Sequence, residues 1–112
     1  MGTVSWLLVD GKVLASAEVA TTFTQRTVGL LGKSGYEGAM VFHHTRSVHT
    51  LGMRFPIDVA LCDRDLVVLR VLRLATWRMS LPRRGARTVI EAEAGSFERW
   101  GLTVGMQLEL RS

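Results

Sequence analysis

The pattern of apolar and polar positions along the chain predicts mainly β structure. Two apolar runs, residues 6–9 and 13–19, flank Asp10-Gly11, a pair that accepts the positive φ angles of a type I′ hairpin turn. A second hairpin is predicted from the runs at 57–62 and 66–74, because the residues between them, 63–65, favour a turn. Further strands are expected at 40–42, 88–92 and 106–110.

Two short helices are predicted between these strands. Residues 22–31 begin with Thr22 as N-cap and Gln25 as its capping-box partner, and Gly32 suits the left-handed position that ends a helix. Residues 96–100 form one or two helical turns between Gly95 and Gly101. Short strands, close turns and one or two short helices predict a compact, mainly β fold, a sandwich or barrel, with residues 1–112 as a single domain.

Composition narrows the class of protein. The chain has 112 residues, 47% of them hydrophobic, which is enough for one domain with a packed core. Cys62 is the only cysteine, so the chain has no intrachain disulfide, and a reducing compartment is favoured. No signal peptide and no membrane partner are expected, because no apolar run approaches the ~20 residues of a membrane helix. These features predict a cytoplasmic protein.

The charge of the chain is basic, with 14 Lys and Arg against 10 Asp and Glu. Arginine supplies most of it, since Lys12 and Lys33 are the only lysines. The arginines are scattered in the sequence, with one local group at 83–87, which disfavours nucleic-acid binding. The glycines form no phosphate-cradling loop, and no cysteine pair or His-Glu-x-x-His motif occurs, so neither a cofactor nor a metal is expected.

Five motifs, taken in order, resemble one protein family. They lie at residues 26–32, 38–42, 49–59, 91–95 and 100–105, and their spacing is similar to that of the family called domain of unknown function 192. The resemblance covers about residues 4–110, and the motif His-Thr-x-Gly-Met-Arg-Phe-Pro-Ile-Asp places the chain in one branch of the family. It implies a compact, mainly β fold and no established activity.

Asp58 is the candidate site residue on which the functional interpretation depends. In a strand, Asp58 shares a face with Ala60 and Cys62, so its carboxylate is expected to be at least half buried. A buried carboxylate requires a partner. The candidates are Arg26, Arg54, His49 and the backbone amides of the preceding loop. Asp58 is then either a structural tie for the loop or a ligand-binding group.

The first functional hypothesis is a small soluble binding or accessory module. Its polar pocket would lie near His49, Met53, Arg54 and Asp58, with Arg26 contributed by the first helix. Arg54 or Arg26 would hold an anionic group of a small molecule or peptide. This concentration of special residues in a loop that enters a strand is the reason for the hypothesis.

Two alternatives stay open at this stage. In the first, the chain is a hydrolase or isomerase in which His49 is a general base and Asp58 orients it. In the second, it is a protein-interaction domain that makes contact through the loops around Arg83 and Trp77. Exposed strand edges also allow a homodimer.

Three expectations concern residues outside this loop. Glu91 and Glu93 are two residues apart in a strand and therefore point to the same face, as is typical of a face in contact with water. Trp100 is expected to anchor the short helix in the core, and Cys62 is expected to be a buried, unreactive thiol.

Overall fold

The computed structural model describes residues 3–20, 38–45, 55–75 and 83–112, and within these ranges the chain is mainly β, as predicted. The elements are seven strands and one short helix, α1. They span Thr3–Val9 (β1), Lys12–Val19 (β2), Ala39–His43 (β3), Ile57–Cys62 (β4), Val68–Leu74 (β5), Thr88–Glu93 (β6), Ser96–Trp100 (α1) and Leu108–Arg111 (β7).

The seven strands form one curled sheet in the order β5-β4-β6-β3-β2-β1-β7. All neighbours are antiparallel except β2 and β3, which run parallel. The two outermost strands approach each other at one point, where Val67 forms a β-bridge with Gln107. Backbone bonds from Val68 N to Met106 O (2.8 Å) and from Leu108 N to Leu66 O (2.9 Å) reinforce this contact. The sheet is therefore a barrel that is closed only locally.

Both predicted hairpins are confirmed. Asp10 and Gly11 have φ angles of 51° and 77°, the positive values that a type I′ turn requires. In the β4–β5 hairpin, the Asp63 carboxylate accepts hydrogen bonds from the backbone N–H groups of Asp65 and Val67, each at 2.9 Å. They reinforce the backbone hydrogen bonds of the turn, from Asp63 N to Val67 O at 3.0 Å and from Leu66 N to Asp63 O at 3.1 Å.

Each face of the sheet carries an apolar cluster. One cluster contains residues from all seven strands and from α1. Side chains from all the strands can meet only on the concave side of a curled sheet, and we call this group the inner cluster. The second, the outer cluster, covers the convex side of the four strands β3, β6, β4 and β5. Its buried members are Ala20, Met40, Phe42, Phe55, Ile57, Val59, Leu61, Leu74, Ala86 and Val89.

The element boundaries agree closely with the sequence pattern. The strand at 57–62 and the helix at 96–100 are confirmed without change. The strand predicted at 66–74 begins at Val68 instead, because Leu66 has a φ angle of 64°, which breaks the extended conformation. The helix predicted at 22–31 lies outside the described residues. Among the described residues, no helix has the length and apolar character needed to cross a bilayer.

Candidate functional site

Asp58 is buried, with 4% of its surface exposed, and both of its carboxylate oxygens accept hydrogen bonds. Oδ1 accepts one from Arg73 Nε at 3.0 Å. Oδ2 accepts one from the backbone N–H of Gly95 at 2.9 Å and another from that of Phe97 at 3.1 Å. The prediction of a buried, partnered carboxylate is thus confirmed, and the partners are a strand arginine and the first amides of α1.

The register of the sheet explains these contacts. Asp58 lies directly opposite Arg73 in the β4–β5 ladder and opposite Ala92 in the β4–β6 ladder. The chain turns sharply just after β6, where Gly95 adopts a φ angle of 97°, and this turn directs two amides back towards the carboxylate. Arg73 keeps 56% of its side chain exposed, so only its Nε end leaves water.

These partners differ from the ones expected. Of the expected site residues, Arg26, His49, Met53 and Arg54 lie outside the described residues, and the structure places Asp58 alone. Its three observed hydrogen bonds join β4 to β5 and to the start of α1, which is what a structural tie would do.

Sequence reasoning missed Arg73. Arg73 could be found from the antiparallel register of the second hairpin, because residues that lie opposite each other in an antiparallel pair share a face of the sheet. A bulge between Leu61 and Cys62 shifts that register by one position, and the sequence pattern does not show this bulge.

Glu91 is the second buried carboxyl group, and the prediction that it faces water is wrong. Only 6% of its surface is exposed, whereas Glu93 is exposed as expected. Glu91 lies on the convex face of β6, paired in register with Met40 on β3 and Val59 on β4, which are both buried in the outer cluster. Burial among these apolar groups raises its pKa to about 8.

The side-chain hydrogen bonds and ion pairs between described residues do not include the Glu91 carboxyl group, in contrast to Asp58. Among the described residues, no side-chain oxygen or nitrogen that is shut off from solvent lacks a partner, so the Glu91 carboxyl group keeps some contact with water. The two acids also face opposite sides of the sheet, because Asp58 shares its face with Ala60 and Glu91 shares its face with Val59. The described part of the sheet therefore contains one carboxylate that is held by three hydrogen bonds and one carboxyl group that lies largely buried among apolar side chains.

Residues that border the undescribed stretches are also buried on the face around Glu91. Phe55, the first described residue after that motif, is buried in the outer cluster with 7% of its surface exposed. Ala20 and Leu74, each within a residue of another undescribed stretch, belong to the same cluster. Three described residues at or near the borders of the undescribed stretches thus belong to the outer cluster.

The remaining titratable groups of the interior are held in neutral forms. His43 Nδ1 lies 3.1 Å from Thr88 Oγ1, and burial together with the neighbouring His44 lowers the pKa of His43. Cys62 is fully buried, and burial together with Asp63 raises the pKa of its thiol to about 12, so the expected inert thiol is confirmed. Within the described ranges, no three His, Cys, Asp or Glu side chains converge as metal ligands would.

Two aromatic expectations have different outcomes. Trp100 is partly buried against the inner cluster, with its ring centroid 5.7 Å from that of Phe97, so its role as a helix anchor is confirmed. The large apolar side chains that are exposed in the described residues are Trp6, Val13 and Val104. The interaction-domain hypothesis, which required an apolar patch in the loops around Arg83 and Trp77, stays a prediction, because Trp77 lies outside the described residues.

The fold and these contacts define a class of protein: a single-domain, curled β-sheet protein whose short helix is anchored by a buried aspartate. The chain belongs to the family called domain of unknown function 192, an uncharacterised family whose model matches residues 6–110. The resemblance inferred from the five motifs is therefore confirmed.

Relatives from archaea share this family. A UPF0127 protein of Pyrococcus abyssi is 32% identical over 114 residues, covering 96% of this chain and 90% of the relative. A UPF0127 protein of Thermococcus sibiricus is 30% identical over 106 residues, covering 88% of this chain and 69% of the relative.

Two crystal structures share the fold. A putative transcription regulator from Sinorhizobium meliloti superposes with a TM-score of 0.81 at 21% identity, covering 97% of this chain and 95% of that one. A protein of unknown function from Novosphingobium aromaticivorans superposes with a TM-score of 0.77 at 18% identity, covering 96% and 84% of the two chains. At these identities, the similarity establishes the fold and nothing further.

Proposed function

We propose that the chain is a small binding module whose ligand site lies on the convex face of the sheet around Glu91. The observation that carries the proposal is a carboxyl group that is only 6% exposed beside an apolar cluster and whose pKa burial raises to about 8. Burying such a group costs free energy that an aliphatic side chain would not cost. Groups of this kind occur mainly where function requires them.

The protonation state of Glu91 defines what it offers a ligand. Since its pKa is raised to about 8, the carboxyl group is mostly protonated at pH 7 and is a hydrogen-bond donor as well as an acceptor. A protonated carboxyl group suits an oxygen of an anionic ligand, which a carboxylate would repel. The proposed ligand is a small molecule or peptide with an anionic group, whose charge Arg26 or Arg54 would balance.

Asp58 has a supporting role in this proposal. Its oxygens already accept bonds from Arg73, Gly95 and Phe97, so the carboxylate holds the frame of the sheet while His49 and Met53 contribute to the pocket. The same engagement disfavours the hydrolase or isomerase alternative, in which Asp58 has to orient His49. The buried free thiol of Cys62 favours the cytoplasm as the location.

Nuclear magnetic resonance of side-chain methyl groups tests the proposal. Pools of small carboxylates, phosphorylated metabolites and short acidic peptides are added to the protein, and the methyl signals of Met40 and Val59 are followed. We expect at least one pool to shift them, with Glu91→Gln retaining the response, because an amide still donates a hydrogen bond, and Glu91→Leu losing it.

The stability of the same variants separates a functional group from a structural one. Glu91→Leu is expected to be as stable as the wild type or more stable, since it replaces a largely buried polar side chain by an apolar one of similar size. If Glu91→Leu instead loses more than about 2 kcal/mol, the carboxyl group has a structural partner and the proposal fails. The proposal also fails if no pool shifts the two methyl signals in the folded wild type.

A further inference from the structure

Arginines that are far apart in the sequence are brought together at one end of the sheet. Arg64 lies in the β4–β5 turn, and Arg83, Arg84 and Arg87 lie in the loop that leads into β6; all four are exposed. The loop is attached to the end of β4 by a hydrogen bond from Arg87 N to Cys62 O at 2.8 Å.

Both segments that carry these arginines are held in defined conformations. In the loop, Ala86 N donates to Arg83 O at 3.1 Å, and a Cβ at Gly85 would lie 3.8 Å from Leu69 Cδ1, so the loop packs against the start of β5. In the turn, the Asp63 carboxylate accepts hydrogen bonds from the backbone N–H groups of Asp65 and Val67, so the turn closes around Arg64. The arginines are therefore presented from a rigid base and not from a long free loop.

The charge at this end is not neutralised by ion pairs. The ion pairs between described residues are those of Arg73 with Asp58 and Arg111 with Glu109, and they include none of the four arginines. In the described turn and loop, these four arginines share this end of the sheet with two acids, Asp63 and Asp65, so four positive charges stand against two negative ones there.

The exposure of this surface decides which anion it suits. A single small anion gains little from exposed charges in water, because the solvent screens each pair. A polyanion contacts several guanidinium groups at once and releases a counterion at each contact. Guanidinium groups also bind phosphate oxygens in a bidentate manner, which favours phosphate over other anions.

We propose that the turn of Arg64 and the loop of Arg83, Arg84 and Arg87 bind the phosphate backbone of a nucleic acid without reading its sequence. The scattered arginines of the sequence indicated the opposite, and the hydrogen bond from Arg87 N to Cys62 O changes the interpretation. The site lies at the end of the strands; its loop borders the outer cluster through Ala86, and none of the four arginines is a register partner of Glu91.

Fluorescence anisotropy of labelled DNA and RNA of random sequence tests this proposal. Between about 50 and 200 mM NaCl, four phosphate contacts predict a slope of log affinity against log salt of about −3 to −4, a loss of the order of 100-fold. The double variant Arg83→Gln/Arg84→Gln is expected to bind at least about 10-fold more weakly at low salt and to reduce the slope by about 2.

The control variant Lys12→Gln/Arg99→Gln removes the same net charge elsewhere. Lys12 begins β2 next to the first hairpin turn, and Arg99 lies on α1 at the opposite end of β4; both are exposed. The control should bind within about 2-fold of the wild type. Equal losses in the two double variants would overturn the proposal, and so would a lack of nucleic-acid binding at 50 mM salt. Binding to anionic lipid vesicles without binding to nucleic acid would overturn it too.

Discussion

Replacing Asp58 by alanine should strongly destabilise the fold. The change removes one acceptor for Arg73 and the acceptor of two backbone amides, of which the amide of Phe97 belongs to a residue with 3% exposure. A buried donor without an acceptor costs about 1–3 kcal/mol. Arg73 has 56% of its side chain exposed and can return to water, so its loss contributes less than about 1 kcal/mol. We therefore expect Asp58→Ala to lower the free energy of unfolding by about 3–4 kcal/mol.

Two further variants divide this loss between its sources. Arg73→Ala should cost about 0.5–1 kcal/mol, because the amides of Gly95 and Phe97 keep their acceptor. Asp63→Ala removes a carboxylate that also accepts two amide bonds, but its turn is open to water. Since water can replace the lost acceptor there, we expect a loss of about 1 kcal/mol.

Urea unfolding followed by far-UV circular dichroism measures these differences, provided that the slope against denaturant is unchanged. A loss of less than about 1 kcal/mol for Asp58→Ala would refute the reasoning, because it would mean that the amides of α1 do not need the carboxylate. If Arg73→Ala lowered the free energy of unfolding as much as Asp58→Ala does, the conclusion that the amides contribute more than the ion pair would be refuted.

Three further outcomes are expected. Because folding raises the pKa of Glu91 from 4.5 to about 8, the folded form retains a proton that the unfolded form releases, so stability should fall as the pH rises from about 4.5 to 8. Urea unfolding at several pH values, compared with Glu91→Gln, isolates this effect, and parallel curves would contradict it. Gly38→Ala should lower the free energy of unfolding by about 2–4 kcal/mol, since φ is +88° and the new Cβ would lie 2.5 Å from Ser16 Oγ. Gly11→Ala, where φ is +77° and the space around the new Cβ is open, should lower it by only about 1–2 kcal/mol. Thermal unfolding that ranks the two variants in the reverse order would exclude this explanation. The Cys62 thiol, with its pKa raised to about 12, should react with a thiol reagent only at the rate of unfolding, so that rapid labelling of the native protein would show that it is accessible.

The sequence pattern is sufficient for the local structure of the sheet. Asp10-Gly11 between two apolar runs favours a hairpin turn, and the apolar run 57–62 is limited by Pro56 before it and a turn after it. Such features depend on a few neighbouring residues. For this reason, the mainly β class, both hairpins and the helix at 96–100 could be predicted.

Contacts that depend on the register of distant strands could not be predicted in the same way. The alternation of Val89, Glu91 and Glu93 resembles a strand with one face in water, yet the four strands around β6 are buried on both faces, and Glu91 is buried with them. The bond between Asp58 and Arg73 likewise depends on a bulge that no residue of the hairpin announces. Both errors concern which face of a strand meets which neighbour, and that is decided by the whole sheet.

The position of β7 has a consequence for how the protein is made. This strand pairs with β1, some hundred residues earlier in the chain, and its leading residues touch the start of β5. During translation, the first six strands leave the ribosome before the strand that joins the two margins of the sheet. The nascent chain consequently exposes the apolar side chains of its concave surface to water until residues 108–111 emerge, and it is in this interval that a chaperone or a neighbouring nascent chain can reach them.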